Sequence, residues 1–230
     1  MREFKKYRNY FSKAEIGLWT FSMLFIVISF AVFDRENYLT LAASVIGGTS
    51  LILNAKGNPF GQFLMIVFSV LYGMISLRCA YYGEMITYLG MTAPMALFSL
   101  ISWLRHPFKG NKSEVAVNRL NRKEIGVIIL ATIGITVIFY FILEAFHTAN
   151  IIPSTISVAT SFLAVFLTFR RSAYFAVGYA ANDIVLIVLW VLAAIENSTY
   201  VSVVICFITF LANDIYGYIS WRKMDQRQNR

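Results

Sequence analysis

Eight apolar runs dominate this 230-residue chain, and each has about the length that crosses a bilayer. They cover residues 16–33, 39–55, 60–82, 85–104, 125–146, 151–169, 174–195 and 200–221. None alternates as a membrane strand would, so helices are expected throughout. Hydrophobic residues make up 58% of the chain and charged residues 14%, against about 45–50% and about 25% in soluble domains. That balance excludes a soluble globule and intrinsic disorder. Cys79 and Cys206 both lie inside apolar runs, which excludes a disulfide framework or a zinc cluster. The first run is long, has no clear small-residue cleavage site and leads into further spans, so no cleavable signal peptide is expected.

The formal net charge of +8 reads as topology. With eight spans, 18 of the 20 Lys and Arg residues fall on one side, including Lys56, Arg105, Arg170, Arg171, Arg222 and Lys223. Arg35 lies opposite and Arg78 within the third run. The asymmetry places both termini in the cytoplasm of a multi-pass protein. Asp34, Glu36, Glu84 and Glu196 fall in the outer loops, and Arg78 could pair with Glu84 or reach outward. No stretch is long enough for a folded basic surface, so nucleic acid is not expected as a partner. The longest connection, 105–124, is read as a basic loop that orients and links two halves.

Spans two to four and six to eight are triplets with short loops, and span five joins them. An odd linker lets both triplets run the same way. Ile101-Ser102-Trp103 closes the first triplet and Ile219-Ser220-Trp221 the second, 118 residues on. Trp103 and Trp221 read as belt residues at the membrane boundary. The expected fold is an all-α polytopic membrane protein: one N-terminal helix plus a 3+1+3 parallel-repeat bundle of the SWEET-like transporter kind. Its segments are a basic N-terminus and first helix (1–38), a first repeat (39–104), a basic loop and linker helix (105–150), a second repeat (151–221) and a basic tail (222–230).

Charge is scarce at mid-membrane, which makes Asp183 and Asp214 conspicuous. Each follows an Asn, in Asn182-Asp183 and Asn213-Asp214, and each Asn has a Trp eight residues later, Trp190 and Trp221. A carboxylate at a helix centre costs roughly 2.5–3.5 kcal/mol on insertion scales, so these groups face the bundle interior or a wet cavity. Tyr179, Asp183 and Trp190 share one helical face, Asn213 shares one with Tyr216, and Gln62 and Tyr72 lie on a polar stripe of the third span. Aromatic faces beside amides and carboxylates suit a flat heterocycle carrying hydroxyls. Two roles fit these polar groups: lining a substrate path, or joining helices through hydrogen bonds worth about 0.6 kcal/mol each. Pro94 and Pro153 fit either kinked gates or packing.

No catalytic site is expected. His106 and His147 lie at membrane edges, and neither HExxH nor GxSxG occurs. The two Asp residues lack the neighbouring Gly that an intramembrane aspartyl pair needs for substrate access. No metal site and no cofactor are expected. Proton coupling through Asp183 or Asp214 remains open at this point.

Gly57-Asn58, Gly61, Tyr72, the run Tyr82-Gly83-Glu84-Met85, Trp103, and Gly217-Tyr218 with Trp221 resemble, in that order, the PnuC family of vitamin and nucleoside transporters. The resemblance spans roughly residues 39–221. It implies a SWEET-like fold, homotrimers, residence in the bacterial cytoplasmic membrane, and facilitated uptake of nicotinamide riboside or a related compound. It also implies coupling to a cytoplasmic kinase that traps the substrate by phosphorylation. Riboside-carrying members commonly show a Trp followed four residues later by Asn or Asp; here the pair reads Tyr179 and Asp183. Branches carrying deoxynucleosides, thiamine or riboflavin therefore stay open. A membrane scaffold or receptor is the further alternative. The expected substrate-binding residues are Gln62, Tyr72, Tyr179, Asn182, Asp183, Trp190, Asn213, Asp214 and Tyr216.

Overall fold

The computed structural model describes residues 10–79, 81–148 and 150–229. Arg2, Lys5, Lys6, Arg8 and Arg230, counted above as topology signals, lie outside the described residues. Among the described residues, eight helices are long and apolar enough to cross a membrane. They are α1 (Lys13–Phe33), α2 (Tyr38–Ala55), α3 (Pro59–Arg78), α4 (Tyr82–Arg105), α5 (Arg122–Ala145), α6 (Ile151–Phe169), α7 (Phe175–Glu196) and α8 (Val201–Gln228).

Local chemistry sets the helix ends. A capping box opens α1, where Ser12 accepts from the Glu15 N–H and Glu15 accepts from the Ser12 N–H. The same device, Asn121 with Glu124, opens α5. Gly57 adopts φ +67°, a left-handed turn that closes α2 without a Cβ penalty. Asn58 then caps α3 and Pro59 fills its first turn. Within α4 the chain makes a π turn at Tyr88–Thr92. Pro94 follows two residues after Thr92 and has no N–H for the ordinary i→i−4 bond, so a locally wider register is accommodated there.

Within each triplet the helices pack in sequence order: α2 on α3 and α3 on α4, then α6 on α7 and α7 on α8. Across the triplets the contacts are reciprocal, α8 on α2 and α4 on α6. In the second triplet α6 and α7 pack almost backbone to backbone. A Cβ on Gly178 would come 2.9 Å from the Ala164 Cα. Helix α1 leans on α2 and α8, whereas α5 leans on α6 and buries little beyond Ile128 and Leu143. The linker helix therefore sits on the flank of the bundle, with its apolar surface facing outward.

The repeated Ile-Ser-Trp has a structural reading. Ser102 donates to the Phe169 carbonyl at 3.1 Å and Trp103 Nε1 to the Thr168 carbonyl at 3.0 Å. Ser220 donates to the Ala55 carbonyl at 2.7 Å and Trp221 Nε1 to the Asn54 carbonyl at 2.7 Å. Each triplet's last helix thus satisfies the terminal carbonyls of the other triplet's first helix, groups a helix cannot satisfy itself. Trp103 and Trp221 are fully buried with ring centroids 5.3 Å apart, so the boundary-belt expectation is corrected.

Two further expectations change. The 105–124 stretch contains an antiparallel hairpin, β1 (Pro107–Phe108) with β2 (Asn111–Val115), turned at Gly110. It packs beside the end of α8, whose helix runs to Gln228, well past residue 221. Arg119 holds Asp225 in a two-point contact at 2.9 and 3.2 Å, and Gln228 bonds Glu114, Val115 and Val117. The loop and tail therefore form one ordered unit on the basic face.

Candidate functional site

The triplets enclose a cavity at mid-bundle. Asp183 is ninth in α7 and Asp214 fourteenth in α8, and these helices run in opposite directions, so both carboxyls reach the same depth. They face each other within hydrogen-bonding reach. Both side chains are buried, and Asp183 Oδ2 has no donor among the described residues. Tyr179 and Asn182 from α7 complete this wall. Met65 and Phe68 of α3, Phe207 and Phe210 of α8, and Gly47 and Leu51 of α2 form the apolar walls. Tyr88 and Thr92, the two ends of the π turn, also line the cavity.

Asn182 is fixed by its neighbours. Its Oδ1 accepts from Thr160 and Ser161, each at 2.9 Å. Ser157 lies 3.4 Å from that oxygen and 3.4 Å from Glu84 Oε2. The carbonyl end is thus occupied, and the amide nitrogen contacts the Tyr88 hydroxyl. Glu84 is a correction. It stands in the first turn of α4 with 1% exposure, not in an outer loop, and its Oε1 has no donor among the described residues. Arg78 is exposed and makes no ion pair with it among the described residues. Glu84 reads as a loop residue in the sequence because it sits where an apolar run begins, and hydropathy alone places such a position outside the span.

The expected site residues separate into groups. Tyr179, Asn182, Asp183 and Asp214 meet at the cavity. Tyr72 and Trp190 lie beyond it toward the face opposite the basic one, where Trp190 Nε1 donates to the Tyr72 hydroxyl at 2.5 Å. Gln62 donates to Asn54 Oδ1 at 2.8 Å near the end of α2. Asn213 turns to α1 and donates to Ser22 at 2.8 Å, and Tyr216 donates to Glu15 at 3.0 Å. Helical spacing put these last two on a polar face correctly, but that face looks onto α1.

Aromatic residues close the cavity at both ends. Tyr81 and Tyr200 pack on Trp190 with centroids 5.2 and 5.5 Å away, and Tyr72 packs on Tyr88 at 4.4 Å. At the basic end Phe175 packs on Trp221 at 4.8 Å and on Tyr179 at 6.1 Å. The cavity between them is about 20 Å³, room for a water or two. A nucleoside needs several hundred Å³, so the cavity is contracted in this structure and must widen to admit one. Lys, Arg and His are absent from the described residues lining the cavity, and the carboxyl pair has no protein counter-charge.

A closed polar chamber between two reciprocally packed helix triplets defines a membrane transporter. The family described as nicotinamide mononucleotide transporter matches residues 37–223. The nicotinamide riboside transporter PnuC of Neisseria mucosa is 25% identical over 220 residues, covering 93% of this chain and 82% of that protein. The nicotinamide riboside transporter PnuC of Haemophilus influenzae is 22% identical over 200 residues, covering 84% and 83%. A crystal structure of the vitamin B3 transporter PnuC superposes with a TM-score of 0.83 at 22% identity, covering 95% of this chain and 94% of that one. The chain belongs to this transporter family, PnuC, whose members are not enzymes.

Proposed function

We propose that the chain mediates facilitated uptake of nicotinamide riboside or a closely related cationic compound across a bacterial cytoplasmic membrane. One observation carries the choice of substrate: the Asp183–Asp214 pair is buried without a cationic side chain in its cavity. Two carboxylates in contact repel each other, and a shared proton or a bound cation relieves the repulsion. Nicotinamide riboside brings a pyridinium charge on a flat ring. Tyr179 offers it a stacking face, and the Asp pair and Asn182 offer polar groups to the amide and ribose. Thiamine is also cationic, so it stands as the second reading. Riboflavin and deoxynucleosides, being neutral, bring no charge to the pair, which then has only a shared proton to relieve it.

In this reading the basic face is cytoplasmic, the substrate is trapped there by kinase phosphorylation, and the protein works as a homotrimer. Calorimetry on the purified protein tests the substrate. Nicotinamide riboside should bind, and Asp183→Asn or Asp214→Asn should weaken it roughly 10- to 100-fold, as loss of a charge-assisted contact does. Thymidine should bind weakly to all three proteins. Equal binding of thymidine and the riboside, with no effect of either variant, would overturn the assignment.

A further inference from the structure

The basic face carries a second cleft, of about 240 Å³, remote from the carboxyl pair. It lies between the turn after α2, the hairpin and the last turns of α8. Its polar walls are Lys56, Ser220, Lys223, Arg227 and Glu114. We propose that this cleft is a binding site for a phosphate group.

The argument is one of charge and donors. Three cations face Glu114, and Glu15 stands behind Lys56 at 3.2 Å, which leaves one positive charge in excess. Glu114 is already engaged, because its Oε1 accepts from both Arg227 and Gln228. Lys223 has no carboxylate within ion-pair distance among the described residues. Lys56 is held in place by Glu15 and by the Tyr10 ring, 5.1 Å from its Nζ, with 23% of its side chain exposed. Each ammonium has three N–H donors and the guanidinium five, so the cleft keeps several unspent donors after these contacts. Charge-assisted donors from two sides of the cleft, Lys56 on one and Lys223 and Arg227 on the other, suit a phosphate with several acceptor oxygens.

Position gives the site a consequence. Lys56 follows α2, while Lys223 and Arg227 ride on α8. A phosphate held between them braces the same junction that Ser220 and Trp221 tie by hydrogen bonds, and so resists separation of the two triplets at the basic face. A soluble phosphate monoester and an anionic lipid headgroup share this chemistry.

The test uses the full-length protein in nanodiscs of neutral lipid, titrated with inorganic phosphate and with nicotinamide mononucleotide. Both should bind, and the Lys223→Ala/Arg227→Ala double variant should lose about tenfold or more in affinity, while Lys223→Arg stays near wild type. Asp214→Asn, in the central cavity, should leave the binding of inorganic phosphate unchanged, which separates the cleft from the substrate site whatever that site carries. A lipid source is shown if phosphatidylglycerol in the disc competes with the soluble phosphates in wild type and not in the double variant. A soluble source is shown if it does not compete. Equal affinity of wild type and the double variant for every phosphate probe would overturn the proposal.

Discussion

Asp34, which caps the end of α1, shows what burial does to a carboxyl outside the spans. Burial pushes its pKa above the ordinary value, and the Ser202 hydroxyl at 3.4 Å offsets this in part. A carboxyl whose folded pKa is raised contributes fully below the unfolded value and loses that contribution as pH rises through the folded one. Asp34→Asn removes the ionisation and leaves an oxygen for Ser202. Its melting temperature should therefore exceed wild type by more at pH 7 than at pH 4, read by thermal unfolding in detergent. An equal gain at both values would contradict the assignment. Individual residues also mark the limit of sequence reading. Asp183 and Asp214 were legible because charge at mid-span has few explanations. Asn213 and Tyr216 were placed on a polar face, but their partners Ser22 and Glu15 lie about 200 residues away in sequence. Periodicity identifies a face and says nothing of which helix it meets.

At the scale of helices, the span count and their order were readable because each crossing needs its own apolar run. The hairpin was not, since its five-residue strand, Asn111–Val115, is largely exposed and lacks an alternating apolar pattern. The Ile-Ser-Trp repeat was visible, but its role was not, because Trp at a span end reads as a belt residue until its neighbour is known. Structure makes it a reciprocal cap between triplets. Ser220→Ala should cost about 1 kcal/mol, and Trp221→Phe, which removes the indole donor from the Asn54 carbonyl and leaves it the Gly57 N–H, about 1 kcal/mol as well. The Trp103→Phe and Trp221→Phe effects should couple, because the rings touch. Chemical unfolding in detergent checks this, and strictly additive effects would argue against one shared junction. The capping boxes extend the parallel. Glu15 of α1 pairs with Lys56 after α2, and Glu124 of α5 pairs with Arg170 after α6. Each triplet is thus preceded by a helix whose capping-box Glu grips the C-terminal end of the triplet's first helix.

For the whole molecule, the small closed cavity sets a requirement: transport needs one aromatic closure to part while the other holds. On the side away from the basic face, the closure is centred on Trp190, which is fully buried and donates to Tyr72. Tyr72→Phe keeps the ring and its packing on Phe207 at 5.5 Å but removes the acceptor. The indole N–H is then buried without a partner, which destabilises the closed arrangement by about 1–3 kcal/mol relative to one in which water reaches it. Such a shift raises the open population roughly 5- to 150-fold while that population is small. Cys206 reports on it directly. It is 4% exposed and lies in the same packed region as Tyr72 and Phe207. In a Cys79→Ser background, which leaves Cys206 as the single thiol, a membrane-permeant maleimide should label wild type slowly and Tyr72→Phe many times faster. Labelling at the wild-type rate would show that the Trp190–Tyr72 bond does not hold this end shut.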